Sequence, residues 1–123
     1  MIKLKNLESN FQCKKLLTQK KIITDYFSIY FGKNLSRENN NKLSISFVMK
    51  KKIGSSVIRN KIKRRLRSAI QKRLENKKFI DTNYSYIIFG KSKTFTEKYS
   101  IISDELDKTF FKINQTNNQN EVR

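Results

Sequence analysis

Histidine, proline and tryptophan are absent from this chain of 123 residues, cysteine occurs once and glycine three times. Without histidine, Ser–His and Cys–His triads cannot be assembled, and neither can histidine metal sites. The single Cys13 can make no internal disulfide and no thiolate zinc cluster, which agrees with a reducing compartment. Any catalysis by the chain itself would rest on carboxylates, lysines or tyrosines. Carboxylates are scarce too: 10 acidic residues stand against 28 Lys and Arg, a net charge of +18 with a pI near 10.2. No apolar run approaches the roughly twenty residues that span a bilayer. The opening Met1-Ile-Lys-Leu-Lys-Asn-Leu-Glu8 lacks the apolar core of a signal peptide. The expectation is a cytoplasmic protein of one domain, with no membrane role, whose excess charge selects a polyanionic partner.

The charge is concentrated. From Asn39 to Leu74 there is no Asp or Glu, while Lys42, Lys50, Lys51, Lys52, Arg59, Lys61, Lys63, Arg64, Arg65, Arg67, Lys72 and Arg73 all fall in that window. Unbalanced cations repel unless a polyanion sits among them, whereas ordinary solvated faces mix both signs. The same stretch reads as a helix. Ser55 or Ser56 can cap it, and Ile58, Ile62, Leu66, Ile70 and Leu74 recur every fourth residue as one apolar stripe. Arg59, Lys63 and Arg67 form a cationic rail at i, i+4 and i+8, with Lys61, Arg64, Arg65 and Lys72 also off the stripe. The stripe is narrow and aliphatic, unlike the aromatic-rich face of helices that lie on membranes.

Around this helix the pattern alternates between strand and helix. A short helix is expected within residues 1–20, with Ser9 as N-cap and Phe11, Leu16 and Leu17 as its apolar residues. In Ile22 to Phe31, Phe27, Ile29 and Phe31 point one way and Tyr26, Ser28 and Tyr30 the other. Tyrosines among small polar residues can stack on unpaired bases, although an amphipathic core edge is the commoner arrangement. The polar stretch from Gly32 to Lys42 is a loop, and Leu43, Ile45, Phe47 and Met49 then alternate with Ser44, Ser46 and Val48. A further short strand fits Lys20 to Thr24. Tyr84 to Gly90 is an interior strand, and Tyr99, Ile102, Leu106, Phe110 and Ile113 line one face of a last helix, capped by Thr94 or Thr96. Asp104, Glu105 and Asp107 on that helix are spaced for a solvated face, and the Asn/Gln-rich residues 114–123 read as a disordered tail beyond a 1–113 domain. These elements predict an α+β two-layer sandwich: a mixed four-stranded sheet with helices on one face, in the order α-β-β-β-α-β-α.

Lys51-Lys-Ile-Gly-Ser-Ser-Val-Ile-Arg-Asn-Lys-Ile-Lys-Arg-Arg-Leu-Arg67 resembles the basic motif of the bacterial ribonuclease P protein component. Lys51, Lys52, Gly54, Val57, Arg59, Asn60, Lys63, Arg64 and Arg67 match that family's pattern. Ser56 stands in place of a small alanine. Lys61 replaces an arginine, keeping the charge and losing the bidentate fork. The resemblance extends more weakly from Leu4 to Ile113, where Phe11 and Tyr30 look like the family's cleft aromatics. It implies a left-handed βαβ crossover around the basic helix. It also implies a protein subunit that is not itself catalytic, partnered by the ribonuclease P RNA and precursor tRNA, with no stable protein partner. The RNA subunit would use Mg2+ to remove the 5′ leader, and the protein would bind no cofactor. Lys51, Lys52, Arg59, Asn60, Lys61, Lys63, Arg64, Arg67, Phe11 and Tyr30 would contact RNA. A ribosomal or general RNA-binding protein fits the same charge and size. A helix-turn-helix DNA binder fits less well, because an alternating strand precedes Val57.

Overall fold

The computed structural model describes residues 3–5, 14–33, 42–76 and 80–121. Its strands are β1 (Lys3–Lys5), β2 (Lys20–Ile23), β3 (Phe27–Lys33), β4 (Lys42–Val48) and β5 (Tyr84–Gly90). Its helices are α1 (Ser56–Glu75), α2 (Ser92–Thr96) and α3 (Tyr99–Glu121), with a 3-10 turn at Lys51–Ile53 leading into α1; residues 14–16 are also helical, within the stretch where a short N-terminal helix is expected. The strands form one mixed sheet in the order β1-β4-β5-β3-β2. β4 and β5 are parallel neighbours joined through α1, β3 is antiparallel to both β5 and β2, and β1 runs parallel to β4.

The α+β class and the helix-covered sheet face agree with the sequence. The four-strand expectation needs correcting, because β1 adds a fifth at the sheet edge. Three residues, Lys-Leu-Lys, hold too little alternation to reveal a strand. The core forms where alternate residues of the central strands meet the helix stripes. Phe27, Ile29 and Phe31 of β3, Leu43 and Ile45 of β4, and Tyr86 and Ile88 of β5 pack against Ile62, Leu66 and Ile70 of α1. Ile102, Leu106, Phe110 and Ile113 of α3 close it. Tyr86 donates its hydroxyl to the Asp81 carbonyl at 2.7 Å, and burial pushes its phenol well above the ordinary range, so it remains a neutral donor. Gly90 sits where α1 crosses β5. A Cβ there would lie 2.6 Å from Ile62 Cγ2 and 2.5 Å from Met49 Sδ, so the missing side chain sets the helix–sheet spacing.

Ser55 caps α1, its Oγ accepting from the Ile58 amide at 3.4 Å. The end of the chain departs further from expectation. Neither Thr94 nor Thr96 caps the last helix; both lie inside a separate short helix, α2, which Glu97 ends in extended conformation. Thr94 is fully buried and donates its hydroxyl to the Tyr26 carbonyl at 2.6 Å. Tyr26 accordingly packs at the core edge, one residue before β3 begins, and does not share the outward face of Tyr30. α3 continues to Glu121, eight residues beyond Ile113. No proline or glycine interrupts it there, and Thr116 bonds back to the Lys112 carbonyl at 3.0 Å. Ser9, Phe11 and Cys13 lie outside the described residues.

Asp107 is also more than part of a solvated face. Its Oδ1 accepts from the buried Arg73 at 2.7 Å, and that guanidinium stands 5.4 Å from the centre of the Phe110 ring. Asp107→Asn removes the carboxylate charge that faces this buried guanidinium. The expected loss is about 2–4 kcal/mol of unfolding free energy in urea titrations, toward the low side of buried pairs because Asp107 keeps some solvent contact. Asp104→Asn, on the exposed side of the same helix, should stay within about 0.5 kcal/mol of the parent.

Candidate nucleic-acid interface

Two surfaces follow from the packing. The first is α1 itself. With Ile62, Leu66, Ala69 and Ile70 turned into the core, the remaining circumference carries the charge. Lys63 and Arg67 are exposed and Arg59 is half-buried, forming the rail along one shoulder; Asn60 and Arg64 lie at the crest, and Lys61 is exposed on the opposite shoulder. Lys51 and Lys52, both exposed, sit in the 3-10 turn just before the helix. Arg65 differs from these. It donates to the Phe95 carbonyl at 3.1 Å and to the Thr94 carbonyl at 2.5 Å, so it ties α2 to α1.

Gly54 sets the angle between the turn and the helix. Its φ of +156° and ψ of −166° belong to a region essentially reserved for glycine, and a Cβ would approach Ile58 Cδ1 to 3.1 Å. The lysines before it and the cations after it therefore hold a fixed relation.

The second surface is the sheet face away from α1 and α3. Ser28 and Tyr30 of β3 lie there, as does Phe89 of β5, because Tyr30 pairs with Ile87 and Ser28 with Phe89. Tyr30 and Phe89 are thus diagonal neighbours, and their rings meet edge-to-face with centroids 5.5 Å apart. Leu16 and Gln19 pack onto this face over Gly32, where a Cβ would come within 3.0 Å of each. The cleft so formed holds about 580 Å³ and is lined by Leu17, Ser28, Tyr30, Lys50, Lys52, Ile53 and Phe89, with Gly90, Lys91 and Ser92 at its end. The ammonium of Lys21 stands 5.8 Å from the Tyr30 ring centre and that of Lys50 5.9 Å from Phe89, within cation–π range. Lys91 is already engaged, donating to the Thr24 carbonyl at 2.6 Å.

The cleft brings Tyr30 and Lys52 together, and the 3-10 turn connects them to Arg59, Asn60, Lys61, Lys63, Arg64 and Arg67 on α1. Phe11 lies outside the described residues. Phe89 is a member that sequence reasoning missed, since an all-apolar strand reads as buried on both faces. Its signal is the cross-strand register with β3. Among the described residues no group of three or more His, Cys, Asp or Glu could hold a metal ion, and no helix is long and apolar enough to cross a membrane.

The family model for ribonuclease P matches residues 1–114. The chain belongs to that family. Ribonuclease P protein components similar to it include that of Mycoplasma capricolum, 35% identical over 104 residues (83% of this chain, 89% of that one). Another, from Carboxydothermus hydrogenoformans, is 33% identical over 86 residues, 69% of each chain. Among solved structures, the ribonuclease P protein of Thermotoga maritima superposes with a TM-score of 0.68 at 20% identity, covering 86% of this chain and 94% of that one. That of Staphylococcus aureus gives the same score and identity over 88% and 93%. At such identities these structures speak for the fold alone.

Gly54→Ala forces an L-residue into the glycine-only region. Thermal and urea unfolding should show a loss of about 1–3 kcal/mol, with α1 helicity retained in far-UV circular dichroism.

Proposed function

We propose that this chain is the protein subunit of a ribonuclease P ribonucleoprotein, which removes the 5′ leader of precursor tRNA. The observation that carries the reading is the aromatic cleft on the open sheet face, joined through a single turn to the cationic helix. The two surfaces suit two different RNAs. Exposed Lys63, Arg64, Lys61 and Arg67, with Arg59 and Asn60, offer point charges and forked donors to the phosphates of the catalytic RNA. Tyr30 and Phe89 offer ring faces to the bases of a single-stranded leader, while Lys50, Lys51 and Lys52 neutralise its backbone. Stacking is sequence-tolerant, which a leader of varied sequence requires.

The protein's part in the reaction is then positional. The RNA subunit, with its Mg2+ ions, performs the hydrolysis, and the protein side chains bind no cofactor. By holding the leader next to the helix that holds the catalytic RNA, the protein turns an encounter of two polyanions into one joint complex. The +18 charge offsets the repulsion between them.

The deciding experiment is cleavage of a 5′-extended precursor tRNA at physiological Mg2+ by a bacterial ribonuclease P RNA, with and without this protein. Stimulation at the mature 5′ end, with no cleavage by the protein alone, is the expected result. Tight RNA binding without stimulation of any of several RNA subunits would instead assign a general RNA-binding role. Within the stimulated reaction, Tyr30→Ala and Phe89→Ala should each weaken binding of leader-bearing precursor by about 1–3 kcal/mol. Affinity for leaderless tRNA should stay unchanged. Lys63→Ala should lower the salt slope of RNA binding by about one ion or less.

A further inference from the structure

The shoulder of α1 opposite the Arg59–Lys63–Arg67 rail carries a groove that the cleft and the rail leave unused. Lys61, Arg64 and Arg65 of α1 line it with Phe95, Thr96 and Glu97, enclosing about 570 Å³ open to solvent. Phe95 is 37% exposed at its centre, and the Lys61 ammonium stands 5.8 Å from its ring centre. An exposed phenylalanine alone means little. This one is held rigidly. On one side of α2, Arg65 grips the carbonyls of Thr94 and Phe95; on the other, the Thr94 hydroxyl is bonded into the core at Tyr26. The backbone of this five-residue helix is thereby tied down from two sides with Phe95 left exposed, so a partner need not order the backbone beneath the ring. Glu97 at the rim is turned back onto the Lys98 amide, 3.3 Å away.

We propose that Phe95 is a second stacking platform, on which an unpaired nucleotide of the catalytic RNA lies, with Lys61 and Arg64 taking its flanking phosphates. The proposal rests on the ribonuclease P reading above and adds to it a site outside the leader cleft. Charge and position select the occupant. At about 3.6 residues per turn, Arg64 lies at the crest of α1 between the Lys63–Arg67 rail and Lys61. An RNA seated on the crest therefore reaches both shoulders. The leader cleft, in contrast, is on the other face of the sheet.

The test measures affinity of the full-length protein for a bacterial ribonuclease P RNA transcript, for leader-bearing precursor tRNA and for leaderless tRNA, at one ionic strength. Phe95→Ala should weaken binding to the ribonuclease P RNA roughly 5- to 150-fold, the range expected for losing one stacked base, with the salt slope unchanged. Phe95→Leu keeps apolar bulk without a stacking ring and should lose most of the same affinity, whereas Phe95→Tyr should retain it. Lys61→Ala should lower the salt slope by about one ion or less. Parental affinity in both Phe95→Ala and Phe95→Leu overturns the proposal, as does a loss confined to leader-bearing precursor. A parent protein that stimulates no ribonuclease P RNA would overturn the functional reading itself, a distinct result. Because Phe95 lies outside the hydrophobic core, thermal melts of its variants should overlay the parent's.

Discussion

One aliphatic stripe holds the basic helix to the sheet, and the rest of the molecule's usefulness depends on it. Ile62, Leu66 and Ile70 are fully buried against β4 and β5. Each such side chain contributes about 1.5–3 kcal/mol when removed from water. That attraction offsets the mutual repulsion of cations that have no carboxylate between Asn39 and Leu74 to answer them. Gly90 allows the stripe to close, since any side chain there would strike Ile62. The burial of a few methyl groups thus dictates which cations face outward.

The charged residues divide into two kinds. Arg73, Arg65 and Lys91 are spent on the fold: one meets Asp107 and Phe110, one clamps α2, and one reaches a carbonyl between β2 and β3. Lys50, Lys51, Lys52, Lys61, Lys63, Arg64 and Arg67 are exposed along the turn and α1. Composition cannot separate these kinds, because both are Lys or Arg, and Arg65 and Arg73 lie in the same charge run as the exposed cations. Only the partners contributed by α2, α3 and the β2–β3 bend do so.

That division also explains what was legible in the residues. The Ile58–Leu74 stripe, the Ser55 cap and the alternations of β3 and β4 are local patterns, and each is visible within one element. Phe89 was not legible, because its exposure depends on lying diagonally across from Tyr30 on another strand. Tyr26 was assigned to the wrong face for a related reason: the strand begins one residue later, and the alternation cannot be extended through its bend. α2 was read as the approach and cap of the last helix, because neither proline nor glycine at Glu97 or Lys98 marks a break between two helices. The family resemblance identified the basic motif, yet it said nothing about Phe95, whose setting is made by Arg65 and Thr94 from two different directions.

Neither kind of contact proposed here carries much specificity alone. A ring face accepts any base, and a lysine accepts any phosphate. Selectivity for one pair of RNAs must then come from the distance and angle between the contacts. Those are set by the least adaptable parts of the chain: the glycine-only backbone of Gly54, the close approach at Gly90 and the clamp of Arg65 on α2. A flexible basic tail of equal charge would bind RNA comparably in low salt, but it could not hold a single strand at a fixed offset from a folded one. On the proposed reading, the fixed turn between cleft and helix would convert general affinity for polyanions into positioning.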